Sequence, residues 1–326
     1  MTASTIDPNR VLKELSDLWA DLGKEGDSEQ GVLRACAMTL VVFAEPQEDP
    51  NDAGESIAAL MRENPSRAIV VRLKQNADLQ ARVFAQCWMP FGSRRQICCE
   101  QIEISGATEA LEDVGAAILP LLAPDLPVIF WVRDATLLAR FGAWAQVATK
   151  IVIHSARSTD STGVMRQVLG QKSGIIADLT WARLTRWREL IAQVFENPVY
   201  LAKLPEVDTV RIHYVTPEIP VSGHYLAAWL HIGLTAAGAR PKMIFERSEP
   251  IGDGSLNRVE LSSASGFHYV LEKVDSSIVE VNLDGLVNRA MFRQPSECEL
   301  MAEELSISGP DRVFESVLAH LRQTLA

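Results

Sequence analysis

Basic charge is what this 326-residue chain has least of: 31 Lys and Arg stand against 42 Asp and Glu, a formal net charge of −11 and a sequence pI near 5.1. That balance opposes binding to nucleic acid or to an anionic membrane surface, and points to a protein or small-molecule partner. Cysteine is scarce as well. Cys36, Cys87, Cys98, Cys99 and Cys298 are odd in number and contain no C-x-x-C. Neither a disulfide framework nor a zinc site is written here, and reduced, mostly buried thiols are expected. The longest apolar run, Val114 to Val132, reaches spanning length but is broken by Pro120, Pro124, Asp125 and Pro127. It reads as a helix ending near Leu122, a Pro-rich turn and a buried strand from Pro127. The N-terminus lacks a basic region followed by an apolar core, so a cytoplasmic location is expected.

Material for packing, by contrast, is plentiful: 47% of residues are apolar and the mean hydropathy is +0.05. A chain of this length exceeds one core, and two domains of about 150 residues each are expected. Residues 1–160 read as helix (Pro8 to Leu22), strand (Cys36 to Ala44), helix (Asp52 to Glu63) and strand (Ala68 to Leu73). Adjacent strands Gln80 to Trp88 and Arg94 to Ile104 follow, then helix Thr108 to Leu122, strand Pro127 to Val132, helix Leu137 to Val147 and strand Lys150 to His154. Such alternation predicts an α/β domain with a mixed sheet covered on both faces. Ser155 to Thr162 is the linker candidate. Residues 161–326 begin with a helix, Leu179 to Phe195, followed by strand Val207 to Val215, helix Gly223 to Ala237 and strand Lys242 to Glu246. Four short strands then lie between Asn257 and Phe292, before a closing helix, Asp311 to Leu325. This predicts an α+β domain built on an antiparallel meander.

Catalytic signatures are missing. Gly170-Gln171-Lys172-Ser173 carries the residue types of a phosphate loop at the wrong spacing, and Gly252-Asp253-Gly254 opens like a dinucleotide fingerprint but runs into a strand. There is no G-x-S-x-G elbow. His224 and His231 share a helical face without a Cys, Asp or Glu at metal-ligand spacing. His154 ends a strand, where α/β sheets often place ligands, but stands without an evident nucleophile. In Arg94-Arg95-Gln96-Ile97-Cys98-Cys99 the alternation of a strand sends Cys98 and Cys99 to opposite faces, so they do not bridge each other. Arg94 and Arg95 could lower a thiol pKa or bind an anion, whereas buried cysteines are ordinarily inert packing.

Asp178 to Glu189 is the most distinctive segment, with two of the seven Trp and three Arg. Trp181, Leu184, Trp187, Leu190, Ile191 and Val194 fall on one helical stripe that Asp178 or Thr180 can cap. Arg183 precedes Trp187 by four residues and could lie over its indole. Two readings stay open: a buried helix whose arginines reach for water, or a docking face, since Trp and Arg are enriched at binding hot spots.

Several stretches together resemble one family, the glucose-6-phosphate dehydrogenase assembly proteins known as OpcA. They are Asn64-Pro65-Ser66-Arg67-Ala68-Ile69, Gln96 to Ile102, Leu119 to Pro127, Asp178 to Glu189 and Leu226-Ala227-Ala228-Trp229-Leu230. The resemblance implies a non-catalytic protein without a cofactor. Such a protein binds glucose-6-phosphate dehydrogenase, assembles or allosterically activates it, and so tunes NADPH supply through the oxidative pentose phosphate pathway. Trp181, Arg183, Arg186 and Trp187, if exposed, are the contact candidates. The alternative is an enzyme or sensor of a sugar phosphate or nucleotide, using Arg94, Arg95 and His154, with Cys98 and Cys99 as a redox or anion site.

Overall fold

The computed structural model describes residues 6–25, 32–46, 49–75, 77–89, 96–171 and 174–325. Two compact units divide them, and each is assembled from separate stretches of chain. The first takes residues 1–157, 172–177 and 301–309, the second 158–171, 178–300 and 310–326. The expected boundary at 160/161 lies near the first crossing between them, and four further crossings follow.

In the first unit, near-continuous apolar runs become the centre of a sheet. Its elements are α1 (Pro8–Glu25), β1 (Val32–Arg34), β2 (Met38–Ala44), α2 (Pro50–Glu63), β3 (Ser66–Lys74), β4 (Gln80–Trp88), β5 (Gln96–Ala107), α3 (Leu111–Ile118), β6 (Val128–Val132) and β7 (Lys150–Ile153). After α4 (Ser161–Gly170), which belongs to the second unit, β8 (Ile175–Asp178) completes the sheet. The order is β1-β5-β3-β2-β6-β7-β8. Pairing is parallel from β1 to β7, and β4 lies antiparallel on β5. Leu40 to Ala44, Ala68 to Val71 and Phe130 to Val132 are buried along their whole length, as strands covered on both faces must be. The mixed α/β sheet expected from the sequence is present.

The stretch read as a helix from Leu137 to Val147 is instead two 3₁₀ segments, Ala135–Arg140 and Gly142–Val147. Phe141 and Trp144 explain the preference. Their rings stack at 6.1 Å with planes 19° apart, and a three-residue turn eclipses positions three apart where an α-helix would splay them. Both rings join Phe43 and Phe130 in one aromatic cluster. Gly115, inside α3, makes room for it, because a Cβ there would fall 2.1 Å from the Trp144 ring. The linker candidate shrinks to a few residues: Asp160 accepts a bond from Gly163 N at 2.7 Å and starts α4.

The second unit runs α5 (Leu179–Arg183), α6 (Thr185–Val194), α7 (Pro198–Leu201), β9 (Thr209–Tyr214), α8 (Val221–Ala236), β10 (Lys242–Arg247), β11 (Leu256–Ser262), β12 (His268–Lys273), β13 (Ile278–Leu283) and β14 (Leu286–Met291). Two helices follow, α9 (Glu297–Ser306), whose last six residues belong to the first unit, and α10 (Arg312–Thr324). The sheet order is β10-β9-β11-β12-β13-β14. β10 is parallel to β9 across the α8 crossover, and the remaining strands form the expected antiparallel meander. Asp284 and Gly285 turn the last hairpin with φ of 50° and 90°, the two positive values that a tight primed turn requires. Val210, Ile212, Val259, Leu261, Tyr269, Leu271 and Val279 supply this unit's core.

Candidate functional site

An open parallel sheet offers a ligand site beyond the carboxyl ends of its strands, where the strand order reverses. Here that place is the end of β2 and β6, since β3 lies on one side of β2 and β6 on the other. The segment leaving β2 reads Glu45-Pro46-Gln47-Glu48-Asp49-Pro50. It holds three acids and two prolines and no glycine, the opposite of a turn whose backbone amides cradle a pyrophosphate. Glu45 accepts two bonds from Arg157, Nε at 2.8 Å and Nη2 at 2.9 Å. Arg133 donates its backbone N–H to Phe43 O at 3.0 Å and lays its guanidinium 5.0 Å from the Trp131 ring centre. His154 is buried here. These residues do not fit a nucleotide.

Nor does the sheet gather the candidates for the alternative reading. β5 runs parallel to β3, and Cys98 and Cys99 stand near its start. His154 follows the end of β7, so the two groups occupy opposite edges of the parallel sheet. Arg94 and Arg95 lie outside the described residues. The expectation of reduced thiols throughout is corrected: Cys87 and Cys98 face each other in the β4–β5 ladder, 4.1 Å apart at Cα, and are disulfide-bonded. That register could not be read from the sequence, because the connection between the two strands is too long to set it by turn type. Cys99 points to the other face. It is fully buried, donates to Ala35 O at 3.4 Å, and its thiol is pushed up by burial, which opposes reactivity.

The segment Asp178 to Glu189 also differs from its reading as one helix, because α5 ends at Arg183 and α6 begins at Thr185. Trp181 is 2% exposed and Trp187 3%, so neither indole is a surface contact. Trp181 donates Nε1–H to Asp311 Oδ2 at 2.7 Å, stacks on Phe314 at 5.3 Å and meets the edge of Tyr225. Trp187 packs edge-on against Phe292 at 5.2 Å. The guanidinium over an indole belongs to Arg188, 3.6 Å above Trp181, and the expected Arg183–Trp187 stack is not formed. Arg183 instead donates to Pro295 O at 3.1 Å, and burial lowers its pKa. Asp178, wholly buried, accepts from Thr180 N at 2.9 Å and Tyr225 OH at 2.8 Å. Arg186 is the most exposed of the four candidates, bonded to Glu189 at 3.2 Å and to Met291 O at 3.4 Å. Aromatic bulk, which drew attention to the segment, is spent on the core.

Several other polar groups bond within the fold. Lys150, missed in the sequence because nothing adjacent marks it, is buried with Nζ donating to Glu304 Oε2, Glu304 O and Ile307 O at 2.7, 2.7 and 3.3 Å. Its three donors are thereby occupied. Glu100 accepts from Trp19 Nε1 at 2.7 Å and Arg67 Nε at 2.5 Å, and pairs with Arg34. His231 stacks on His320 at 4.8 Å. Among the described residues no three His, Cys, Asp or Glu side chains converge as a metal site. Gly252 and Gly254, both at positive φ, form a turn into β11.

Residues 57–169 match the family described as the glucose-6-phosphate dehydrogenase subunit N-terminal domain, and residues 175–318 match the C-terminal domain of the same subunit. A relative from Synechocystis sp., bearing the name OxPP cycle protein OpcA, is 29% identical over 64% of this chain and 43% of its own length. A like-named protein of Nostoc punctiforme is 30% identical over 61% of this chain and 43% of its own. The matched part thus spans less than half the length of these relatives. Among solved structures, a Gfo/Idh/MocA family oxidoreductase from Vibrio cholerae aligns over 87% of this chain and 95% of its own with a TM-score of 0.39 and 9% identity. That likeness is too slight to carry its chemistry across. The two matched domains lie in order along most of the chain, which therefore belongs to the OpcA family of glucose-6-phosphate dehydrogenase subunits.

Proposed function

We propose that this chain is a non-catalytic partner of glucose-6-phosphate dehydrogenase that binds the enzyme's active arrangement more tightly than its inactive one and so raises its activity and NADPH output in the cytoplasm. The observation that carries this reading is the match of residues 57–169 and 175–318 to the N-terminal and C-terminal domains of a dehydrogenase subunit. It is supported by the way the chain spends its buried charge. Arg67–Glu100, Arg72–Glu103 and Lys150–Glu304 are ion pairs of buried cations within the first unit, and the half-buried Glu45 and Arg157 pair with each other beyond the carboxyl end of β2. A ligand with differential affinity for two states shifts their population, and that suffices for activation without a catalytic group. No helix among the described residues is long and apolar enough to cross a membrane.

For the contact surface we retain Arg186 and add the strand beside it. β14 is the last strand of its sheet and carries Leu286 and Met291, 66% and 68% exposed, with Arg186 bonded to the Met291 carbonyl. An edge strand with exposed apolar side chains beside a cation is a surface suited to a protein partner. The test is the rate of glucose-6-phosphate oxidation by the cognate dehydrogenase across substrate concentration, with and without this chain. A lower KM or a higher kcat is expected, and the Arg186→Glu, Met291→Asp double variant should lose the effect while keeping its melting temperature. Unchanged kinetics, with the two proteins eluting separately, would refute the partnership.

A further inference from the structure

The second unit contains a cavity of about 390 Å³ that belongs to none of the features above. Thr162, Met165, Arg166 and Leu169 line it from α4, at the spacing that puts them on one helical face. His224 of α8 and Arg322 of α10 complete the polar lining. The volume falls in the range of small-molecule sites. Its charge is unlike the rest of the chain. Two guanidinium groups and an imidazole line it and, among the described residues, no carboxylate does, in a protein of net charge −11. Arg67 and Arg72, buried in the first unit, pair with Glu100 and Glu103, but among the described residues neither Arg166 nor Arg322, both exposed, forms an ion pair. Arg322 donates Nε–H to Leu169 O at 2.9 Å. That bond holds the side chain against α4 while leaving the two terminal nitrogens as donors. Beside these cations stand the apolar side chains of Met165, Leu169 and Leu325.

We propose that this cavity binds a small organic anion, a phosphate or carboxylate carried on an apolar body. Arg166 and Arg322 hold the anion through charge-assisted bonds, and Met165 and Leu169 shield the body from water. Thr162 and His224 add polar contacts at the wall. The site does not depend on the dehydrogenase partnership, and it is tested on the chain alone.

The experiment is calorimetric titration of the full chain with phenyl phosphate, benzoate, inorganic phosphate and benzyl alcohol. One-site binding of phenyl phosphate or benzoate is expected with a Kd on the order of 1 mM or tighter, and the tighter of the two identifies the anion. Inorganic phosphate lacks the body and benzyl alcohol lacks the charge, so each should bind about tenfold more weakly or worse. Arg166→Gln and Arg322→Gln should each weaken binding about tenfold. Among the described residues Arg166 forms no ion pair or side-chain hydrogen bond, so its variant should melt like the parent even if removing the Arg322–Leu169 bond loosens α10. The proposal is overturned if neither anion saturates, if either half-ligand binds as tightly as the whole, or if Arg166→Gln retains full affinity.

Discussion

Replacing Trp187 by Ala separates a core residue from a binding hot spot. The indole is 3% exposed and meets Phe292 edge-on at 5.2 Å, so truncation opens a cavity the size of a ring system inside the second unit. Large aromatic-to-Ala changes in cores remove about 3–5 kcal/mol. For a unit of this size, each kcal/mol lowers the melting temperature by about 2–4 °C, so a fall of roughly 10 °C is expected. Calorimetry of the chain alone should show the transition of the second unit moving while that of the first stays in place. Binding to the dehydrogenase should weaken only in proportion to the folded fraction. A variant with an unchanged melting profile that had lost its partner would refute the placement of Trp187, because only a surface indole behaves in that way.

Glu100→Ala should destabilise the first unit by about 3–5 kcal/mol, since it leaves the buried Arg67 guanidinium uncompensated, and Arg67→Met combined with Glu100→Leu should recover much of that loss in urea melts. If both variants unfolded alike, the charge would not be the cause. Glu299 forms a reciprocal cap with Ser296, accepting from Ser296 N at 2.8 Å while donating its own N–H to Ser296 Oγ at 3.2 Å. The Ser296 amide, with Arg293 adding to it, lowers its carboxyl from an ordinary 4.5 to about 2. Its folded pKa is depressed, so its contribution is present above the unfolded value and lost as pH falls through about 2. An NMR titration should place the midpoint there and Ser296→Ala should move it upward, whereas a parent midpoint near 4.5 would contradict the cap. With Cys87 and Cys98 bridged, the denatured, unreduced chain should show three titratable thiols out of five. A count of five would show that the pair stays reduced, as the cytoplasm favours.

Period and composition were enough to determine much of the fold. Continuous apolar runs at Leu40 to Ala44 and Ala68 to Leu73 announce buried parallel strands, and the short strands from Asn257 onward announce the meander, because both patterns follow from which faces are covered. Asp178, Asp160 and Asp311 start helices by local chemistry that a sequence displays directly. The family was legible as well, in motifs scattered through both units. Long-range register was not. It pairs Cys87 with Cys98, sends the last turns of α9 to the first unit and the rest to the second, and brings α4, α8 and α10 around one cavity. Nothing within a few residues of any of these groups specifies its partner. The fate of Trp181 and Trp187 belongs to the same class. An amphipathic stripe records that a face is apolar, but whether that face meets a partner or its own Phe314 and Phe292 depends on where a chain segment more than a hundred residues away returns, and tertiary packing alone decides that.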